Sequence, residues 1–469
     1  MGAGAASEGA VRAPLQLVGF DNFKRHNPRS DRFTVHRFHH VEFWCGDATN
    51  TYKRFQQGLG MTLVAKSDQS TGNATFASYV LQSHELVFAL TAPYSRKAPR
   101  GGDGGAPLPG YSQDAAYEFL NTHGLAVRAV GLLVDDAAEA YAQATTNGGV
   151  GVVPPTPLPD CAGGAGGCAV VSEVKLYGDV VLRFVSGDYK GAYLPGFTPT
   201  PEAPRLCYGL RRLDHAVGNT HDLLETASYI INMLGFHEFA EFVAKDIGTV
   251  DSGLNSMVLA NNNEMVLLPV NEPTFGTKRK SQIQTYLEQN EGPGLQHLAL
   301  KTNDIIATMR EMRARSDSGG FEFMPRPCDS YYRALPGRIG DVLSAEQYAA
   351  LEALGILADR DDKGVLLQIF TKPLGDRPTV FIEIIERVGC TKEVPAAGPP
   401  AAAEPEPAPA GGFTTAAAQA AAHGAADVIA RRGDGVVVEQ AAGCGGFGKG
   451  NFGALFLSIE EYERTLAID

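Results

Sequence analysis

The chain has 469 residues, of which 44% are hydrophobic, so it is long enough for two domains with sizeable cores. The formal net charge of −13 and the absence of a lysine- or arginine-rich run argue against a nucleic-acid partner. No run approaches about 18 consecutive apolar residues, and the first residues lack a signal-peptide core. We therefore expect no membrane contact and a cytoplasmic location, with the plastid as the alternative.

The seven cysteines are scattered along the chain, and no two of them form a C-x-x-C pair. Cys161 and Cys168 flank a glycine-rich loop at a spacing that suits a zinc site poorly. The sequence therefore predicts reduced thiols, as is usual in a reducing compartment.

In chain order, the two halves of the sequence repeat one pattern. A strand that carries histidine opens each half, a helix ending in Leu-Gly follows, and a further strand comes next. Glycine suits such a helix end because it readily adopts the left-handed conformation. The matching segments are 37–44 with 212–217, 52–61 with 227–236, 62–65 with 237–243, 131–136 with 298–304, and 179–184 with 379–384. The repeat predicts an α+β fold of two tandem open β-barrel domains built from βαβββ units.

The same repeat predicts the domain boundaries. An N-terminal extension covers 1–30, a first barrel domain covers 31–200, and a second covers 205–469. Within the second domain, the segment 391–436 is dominated by alanine, proline and glycine, which predicts a disordered or weakly helical insert. After it, apolar residues at helical spacing predict a terminal helix over 450–467.

Three polar residues interrupt apolar strands of the second half: His215, His297 and Glu383. A carboxylate buried among phenylalanine and isoleucine costs several kcal/mol if it is unpaired, so Glu383 needs a partner or a metal. Two histidines and one carboxylate on separate strands form the facial triad that holds Fe(II) and leaves positions open for substrate and O2. The alternatives are an arginine partner for Glu383, near a solvated strand end at Glu386-Arg387, and core histidines that donate to backbone carbonyls.

The equivalent positions of the first half read His40, Ala129 and Arg183. One ligand of three survives there, and a cation stands in place of the carboxylate, so these residues cannot hold a metal. We therefore predict a structural or gating role for the first domain and catalysis in the second.

Five sequence blocks indicate a family. They follow one another as in the 4-hydroxyphenylpyruvate dioxygenase family of the vicinal oxygen chelate superfamily, and the chain most resembles plant or algal members. The resemblance runs from about residue 20 to 466, apart from the insert. The blocks are LDHAVGN at 213–219, PVNEP at 269–273, EGPGLQH at 291–297, LLQIFT at 366–371 and GGFGKGNF at 445–452.

The resemblance implies Fe(II) bound by His215, His297 and Glu383, with 4-hydroxyphenylpyruvate and O2 as partners. The 2-oxo acid of the substrate would take two open positions on the iron and O2 the third. Oxidative decarboxylation, ring hydroxylation and side-chain migration would give homogentisate and CO2. This reaction would serve tyrosine and phenylalanine catabolism and the supply of tocopherol and plastoquinone precursors. The family also implies a homodimer, with a tetramer as the alternative.

The resemblance further implies roles in a pocket. Gln296, Gln368, Asn451 and Phe452 would act at the reacting centre. The substrate would contact Ser256, Pro269, Asn271, Gln282, Phe370, Phe381, Phe447 and Leu455. Amides satisfy a phenol without adding charge, and Phe370 and Phe381 would sandwich the aromatic ring. The alternatives are surface positions for Gln282 and Gln368, and plain core or helix packing for the phenylalanines and Leu455.

The glycine-rich segment 445–450 is interpreted as the hinge of a mobile lid. It lacks the G-x-x-x-x-G-K-[ST] pattern of a phosphate-binding loop. The insert before it is longer than the connector of the family, which puts lid mobility and oligomer packing in doubt, although long loops cost little extra free energy to close.

Three rival functions stay open. A 4-hydroxymandelate synthase resembles this family and oxidises the same substrate at the benzylic carbon, although Pro269 and Phe452 look like the ring-hydroxylating type. A glyoxalase-type metal lyase or isomerase would use the same barrels with more carboxylate ligands. A non-catalytic binding module is the third rival, but it does not explain a complete triad.

Overall fold

The computed structural model describes residues 15–96, 108–158, 167–247, 253–395, 428–431, 436–441 and 443–466. The first half contains β1 (Val35–Trp44), α1 (Ala48–Leu59), β2 (Thr62–Ser67), β3 (Phe76–Ser83), β4 (Leu86–Pro93), α2 (Gln113–His123), β5 (Ala126–Val134), α3 (Ala137–Thr146), β6 (Gly151–Pro157), β7 (Ala169–Tyr177), β8 (Val180–Gly187) and β9 (Thr198–Pro199).

The second half begins with β10 (Leu210–Asn219), α4 (Leu223–Leu234), β11 (His237–Phe242), α5 (Ala244–Ile247), β12 (Leu254–Ala260), β13 (Leu267–Pro273), α6 (Gln282–Gln289), β14 (Gly294–Thr302) and α7 (Ile305–Arg313). It continues with α8 (Asp329–Ile339), α9 (Ala345–Leu354), β15 (Leu357–Arg360), β16 (Gly364–Phe370), β17 (Phe381–Gly389), β18 (Thr391–Pro395), β19 (Val428–Arg431), β20 (Val436–Gln440) and α10 (Phe452–Thr465).

Each half forms one large mixed sheet. The first has the order β6-β7-β8-β5-β1-β4-β3-β2-β9, and the second has the order β11-β12-β13-β10-β14-β17-β16-β15. The centres of the two sheets match, because β4-β1-β5-β8 and β13-β10-β14-β17 share the same sequence of parallel, antiparallel and parallel pairings. The prediction of an α+β fold with two duplicated open barrels and a terminal helix is confirmed.

The duplication extends to the helix ends. The side chain of Asp47 accepts a hydrogen bond from the backbone at the start of α1, and Asp222 does the same for α4. Gly60 and Gly235 end these helices with φ of 65° and 80°, which is the left-handed conformation that glycine adopts without strain. A side chain at Gly235 would also collide with the carbonyl of Ser30. The same short-range signals therefore set the same helix in both halves.

One hydrophobic core connects the two halves. The largest cluster of buried apolar side chains contains residues from both sheets, and Phe55 of α1 meets Phe321 edge to face, with ring centroids 5.2 Å apart. The described part of the N-terminal extension lies on the second half, where Arg25 forms an ion pair with Glu264. Among the described residues, none of the helices combines the length and the apolar character that a membrane crossing requires.

The segment after β17 differs from two sequence predictions. The composition predicts that the insert over 391–436 is disordered or weakly helical, but its described residues belong to β18, β19 and β20, which form a three-stranded sheet. The rest of the insert, 396–427 and 432–435, lies outside the described residues. Valine-rich runs near the ends of the segment favour strands. The prediction missed them because it rested on the alanine and proline content of the segment as a whole. The expectation of reduced thiols throughout is also wrong, because Cys390 and Cys444 form a disulfide and Cys168 is disulfide-bonded as well.

Candidate active site

Three neighbouring strands at the centre of the second sheet carry the predicted metal ligands. His215 lies on β10, His297 on β14 and Glu383 on β17, and Ala299 stands opposite both His215 and Glu383 in the register. Because side chains alternate along a strand, His297 and Ala299 share one face with their neighbours. The ligand atoms of the three residues lie within 4.8 Å of one another. In the part of the chain that the structure describes, no other group of three histidine, cysteine or acidic residues comes as close.

The electrostatics of this cluster suit a divalent cation. Oε2 of Glu383 lies 3.2 Å from Nε2 of His215 and 3.4 Å from Nε2 of His297. Burial opposes the ionisation of Glu383, but hydrogen bonds from both imidazoles outweigh it and lower its pKa to about 2. Burial lowers the pKa of His297, whereas Asp214 and Glu383 outweigh burial at His215 and raise its pKa. A buried carboxylate facing two imidazoles is a donor set that a metal ion would complete by displacing protons.

Both histidines are oriented by a second hydrogen bond. Nδ1 of His215 donates to Oδ1 of Asp214 at 3.0 Å, and Nδ1 of His297 donates to Oε1 of Gln296 at 2.9 Å. With Nδ1 donating in this way, Nε2 of each imidazole faces the centre of the triad, where a metal ion would displace its proton.

All the predicted site residues line one pocket of about 630 Å³. They are Gln296, Gln368, Asn451, Phe452, Ser256, Pro269, Asn271, Gln282, Phe370, Phe381, Phe447, Leu455, His215, His297 and Glu383. The sequence did not indicate the other lining residues, which are Val217, Phe242, Leu254, Val258, Gly448, Phe456 and Ile459. Most of these are apolar residues that resemble ordinary core positions in the sequence, so no signal distinguished them.

A chain of hydrogen bonds runs from the metal ligand to the C-terminal segment. Nε2 of Gln368 donates to Oε1 of Glu383 at 2.7 Å, and Nδ2 of Asn451 donates to Oε1 of Gln368 at 2.9 Å. The hydroxyl of Tyr331 donates to Oδ1 of Asn451 at 2.7 Å. Gln368 is buried, so the alternative of a surface position is wrong for this residue.

Aromatic rings surround the triad. Phe381 stacks on His297 with centroids 4.9 Å apart and planes 17° apart, and Phe370 meets Phe381 edge to face at 6.1 Å. Phe447 approaches the ring of His215 edge to face at 5.2 Å. These rings give the pocket an apolar, aromatic surface beside the triad.

Residues 443–466, which we call the lid, close the pocket. The glycine-rich turn of the lid lies so close to β16 that a Cβ on Gly448 would be 2.0 Å from Oε1 of Gln368. Helix α10 follows, and Phe452 at its start contacts Phe242 with centroids 5.7 Å apart. Glycine is therefore required at Gly448, both for the close approach and for its φ of 73°.

Comparisons with known proteins agree with this geometry. No family model matches the chain. Curated proteins from Daucus carota and Arabidopsis thaliana, both named 4-hydroxyphenylpyruvate dioxygenase, are 54% and 51% identical to it. The alignments cover 97% of this chain and 93% of the carrot protein, and 98% of this chain and 95% of the Arabidopsis protein.

The chain belongs to the 4-hydroxyphenylpyruvate dioxygenase family. It is accordingly an enzyme, and the family named from its sequence blocks is confirmed. A solved variant of 4-hydroxymandelate synthase from Streptomyces coelicolor has a TM-score of 0.62 and covers 76% of this chain and 93% of its own. At 24% identity, that similarity supports the fold alone.

Two charged residues beside the dioxygenase-type triad were not singled out from the sequence. Arg387 had been considered only as part of a solvated strand end, but its side chain is fully buried and bound to Asp214. Burial opposes the charge of Asp214, yet Arg387 and His215 hold its pKa well below the usual range. The alternation 383, 385, 387 along β17 places Arg387 on the face of Glu383, which was the available signal.

The described residues of the first half of this dioxygenase-family chain form no such triad. His40 stands opposite Gly131, which stands opposite Arg183, as His215, Ala299 and Glu383 do in the second half. The alignment of His40, Ala129 and Arg183 with the triad therefore agrees with the register. Arg183 donates to Glu42 and to Glu173, each at 2.7 Å, and its Nη1 lies 3.0 Å from His40. The position of the metal is thus filled by a guanidinium.

Proposed function

We propose that the chain is an Fe(II)-dependent dioxygenase that converts 4-hydroxyphenylpyruvate and O2 into homogentisate and CO2. The observation that carries this proposal is the triad of His215, His297 and Glu383 beneath one aromatic pocket. The relatives at 51–54% identity bear the name of that activity. We place the non-catalytic domain in 31–200 and the catalytic domain in 205–469. We also propose a homodimer and a role in tyrosine catabolism.

The triad fits iron, which when bound supplies the oxidative chemistry on O2 and the 2-oxo acid. Glu383 would hold the metal through Oε2, because Gln368 donates to Oε1 while Oε2 faces both imidazoles. Two neutral donors and a single carboxylate oxygen leave room for the keto oxygen and the carboxylate of the substrate.

The pocket walls orient the aromatic end of the substrate. Ser256 on β12 and Asn271 on β13 stand opposite each other in the register, and Gln282 begins α6 beside them. Hydroxyl and amide groups both donate and accept hydrogen bonds, so they can bind a phenol without a charge. Phe370 and Phe381 contact the ring, and the lid keeps water away.

The decisive experiment is an aerobic incubation of the purified protein with Fe(II), ascorbate and 4-hydroxyphenylpyruvate. We expect homogentisate with release of one CO2 per substrate, identified by chromatography and mass. A matched reaction with Glu383→Gln is the control, because that variant keeps the volume of the side chain but lacks the anionic ligand.

4-Hydroxymandelate as the product would move the assignment to benzylic oxidation of the same substrate, which is the second candidate. No substrate consumption by protein shown to contain iron would contradict both reactions and favour a metal lyase or isomerase. The bulky Phe452 and Pro269 in the pocket wall support the ring-hydroxylating reaction, because they restrict how the ring can lie.

A further inference from the structure

We propose that Arg387 is a positioning residue that couples closure of the lid to the orientation of His215. The proposal rests on the proposed metal site, because His215 is one of its ligands. Arg387 lies on β17, four residues after Glu383 and on the same face of the strand. The solvent-exposed fraction of its side chain is 0%.

One side of the guanidinium holds the carboxylate that orients His215. Nη2 of Arg387 donates to Oδ1 of Asp214 at 2.7 Å, and Nε donates to Oδ2 at 3.1 Å. This is the two-point contact in which arginine fixes both the position and the plane of a carboxylate. Because Oδ1 of Asp214 also accepts from Nδ1 of His215, a displacement of Arg387 is transmitted to the imidazole through one side chain.

The other side of the guanidinium holds the lid. Nη1 of Arg387 donates to the carbonyl oxygens of Cys444 and Gly446, the latter at 2.7 Å. The guanidinium carbon also lies 5.7 Å from the centroid of Phe447, and Phe447 in turn contacts the ring of His215. The lid thus supplies two carbonyl acceptors to a guanidinium that has no contact with water.

This arrangement links the opening and closing of the lid to the orientation of His215. If the lid moves away, the carbonyl of Gly446 leaves the buried cation, while the disulfide between Cys390 and Cys444 keeps Cys444 beside it. The N–H group that donates to Gly446 then lacks an acceptor, and that loss is costly in a low-dielectric interior. Arg387 and Asp214 must then rearrange, so the orientation of His215 changes with the lid. By reciprocity, a metal ion that fixes His215 also favours the closed lid.

The first half of the chain provides a matched control. Arg183 is also buried, also lies on the strand equivalent to β17, and also binds carboxylates, those of Glu42 and Glu173. Its hydrogen-bond partners among the described residues are Glu42, Glu173 and His40, which belong neither to the lid nor to the predicted metal ligands. A substitution there disturbs a buried arginine without touching the proposed link.

The test compares wild-type protein, Arg387→Lys and Arg183→Lys, with Co2+ as the probe. Lysine keeps the charge but cannot reach both the carboxylate and the two carbonyls. Co2+ affinity is measured by equilibrium dialysis and by the visible spectrum of the bound ion. The rate of tryptic cleavage after Lys449, in the lid, is measured by mass spectrometry with and without Co2+. Thermal unfolding establishes that each variant is folded.

We expect Co2+ to slow cleavage after Lys449 in the wild type. Arg387→Lys should weaken Co2+ binding by about tenfold, as is typical for residues that orient a ligand, and should abolish the protection. The spectrum of bound Co2+ should also shift in this variant, which a merely structural defect does not explain. Arg183→Lys should lower the unfolding temperature but keep the affinity, the spectrum and the protection.

A folded Arg387→Lys protein with wild-type affinity and protection would overturn the coupling, and so would equal losses in Arg183→Lys. If a lysine variant does not fold, Arg387→Gln and Arg183→Gln are compared by the same criteria. Wild-type protein that binds no Co2+ would overturn the metal site and the coupling together. Co2+ binding without protection in the wild type would overturn the coupling alone.

Discussion

The two half-sites differ in charge more than in backbone. Arg183 and Glu383 occupy equivalent positions on equivalent strands, as the shared register of β5-β8 and β14-β17 shows. In the first half, Glu42 and Glu173 neutralise the guanidinium from within the chain. In the second half, the carboxylate of Glu383 faces two imidazoles, and under the proposed function a metal cation would bind between them. The first half-site therefore pairs its central charge with side chains of the chain itself. The second half-site has no arginine at this position and leaves space where a metal ion would fit.

The same register explains how the pocket beside the triad differs from the equivalent position in the first half. Val217 stands opposite His297 where Glu42 stands opposite Ala129, and Phe370 stands opposite Glu383 where Glu173 stands opposite Arg183. Two acidic side chains that fill the first barrel are thus replaced by two apolar walls in the second. In this chain, the half that carries the complete triad is thus also the half that lacks the two acidic side chains.

The largest effect on metal binding is expected from a substitution at the metal site of the second half. Glu383→Gln removes the anionic ligand, so metal affinity should fall by more than the roughly 100-fold loss typical of residues outside the first coordination shell. Homogentisate formation should be lost with it. Isothermal titration with Co2+ measures the affinity, and circular dichroism establishes the fold. Normal turnover in this variant would contradict the metal hypothesis.

The counterpart in the first half should act on stability alone. Arg183→Gln leaves Glu42 and Glu173 buried without their cation, which should cost about 3–5 kcal/mol of unfolding free energy. Urea unfolding of the metal-free protein measures this loss. Metal affinity at the second site should not change, and a parallel loss of metal affinity would show that the two half-sites are coupled.

A smaller effect is expected where the halves cap equivalent helices differently. Oγ of Ser186 accepts from the backbone N–H of Ala137 at the start of α3, and Oε2 of Glu386 accepts from that of Ile305 at the start of α7. Burial raises the pKa of Glu386 from 4.5 to about 7. Because of the raised pKa, the folded state binds the proton of Glu386 more tightly than the unfolded state does. The stability that the protonated Glu386 contributes is therefore fully present below pH 4.5. It is lost as the pH rises through about 7.

Glu386→Ser therefore places at the start of α7 the same capping residue that Ser186 provides for α3. It also removes the carboxyl group that titrates. Relative to the wild type, the variant should gain about 1–3 kcal/mol between pH 4.5 and pH 8. Unfolding free energies measured across this range give the difference. A constant difference between the two proteins at all pH values would show that Glu386 does not titrate in this window.

Much of the fold and the triad could be predicted because the responsible signals are local. Strand alternation and the Leu-Gly helix ends mark both copies of the unit, and a lone acid between isoleucines marks Glu383. Arg387 and Asp214 could not be paired from the sequence, since they are separated by 173 residues and meet only through the sheet. Cys390 and Cys444 have Cα atoms 5.8 Å apart across a separation of 54 residues, and no pattern indicates that distance.

That disulfide has a consequence for how the chain can change. The disulfide joins the point where the insert leaves the second barrel to the point where the chain returns to it. Thr391 also pairs with Gln440 there, in the small sheet. The length of chain between β18 and β19 then has little influence on the distance from Glu383 to the lid. Evolution can lengthen the protein there without retuning its chemistry, and an engineer can graft a reporter or an affinity module at the same place.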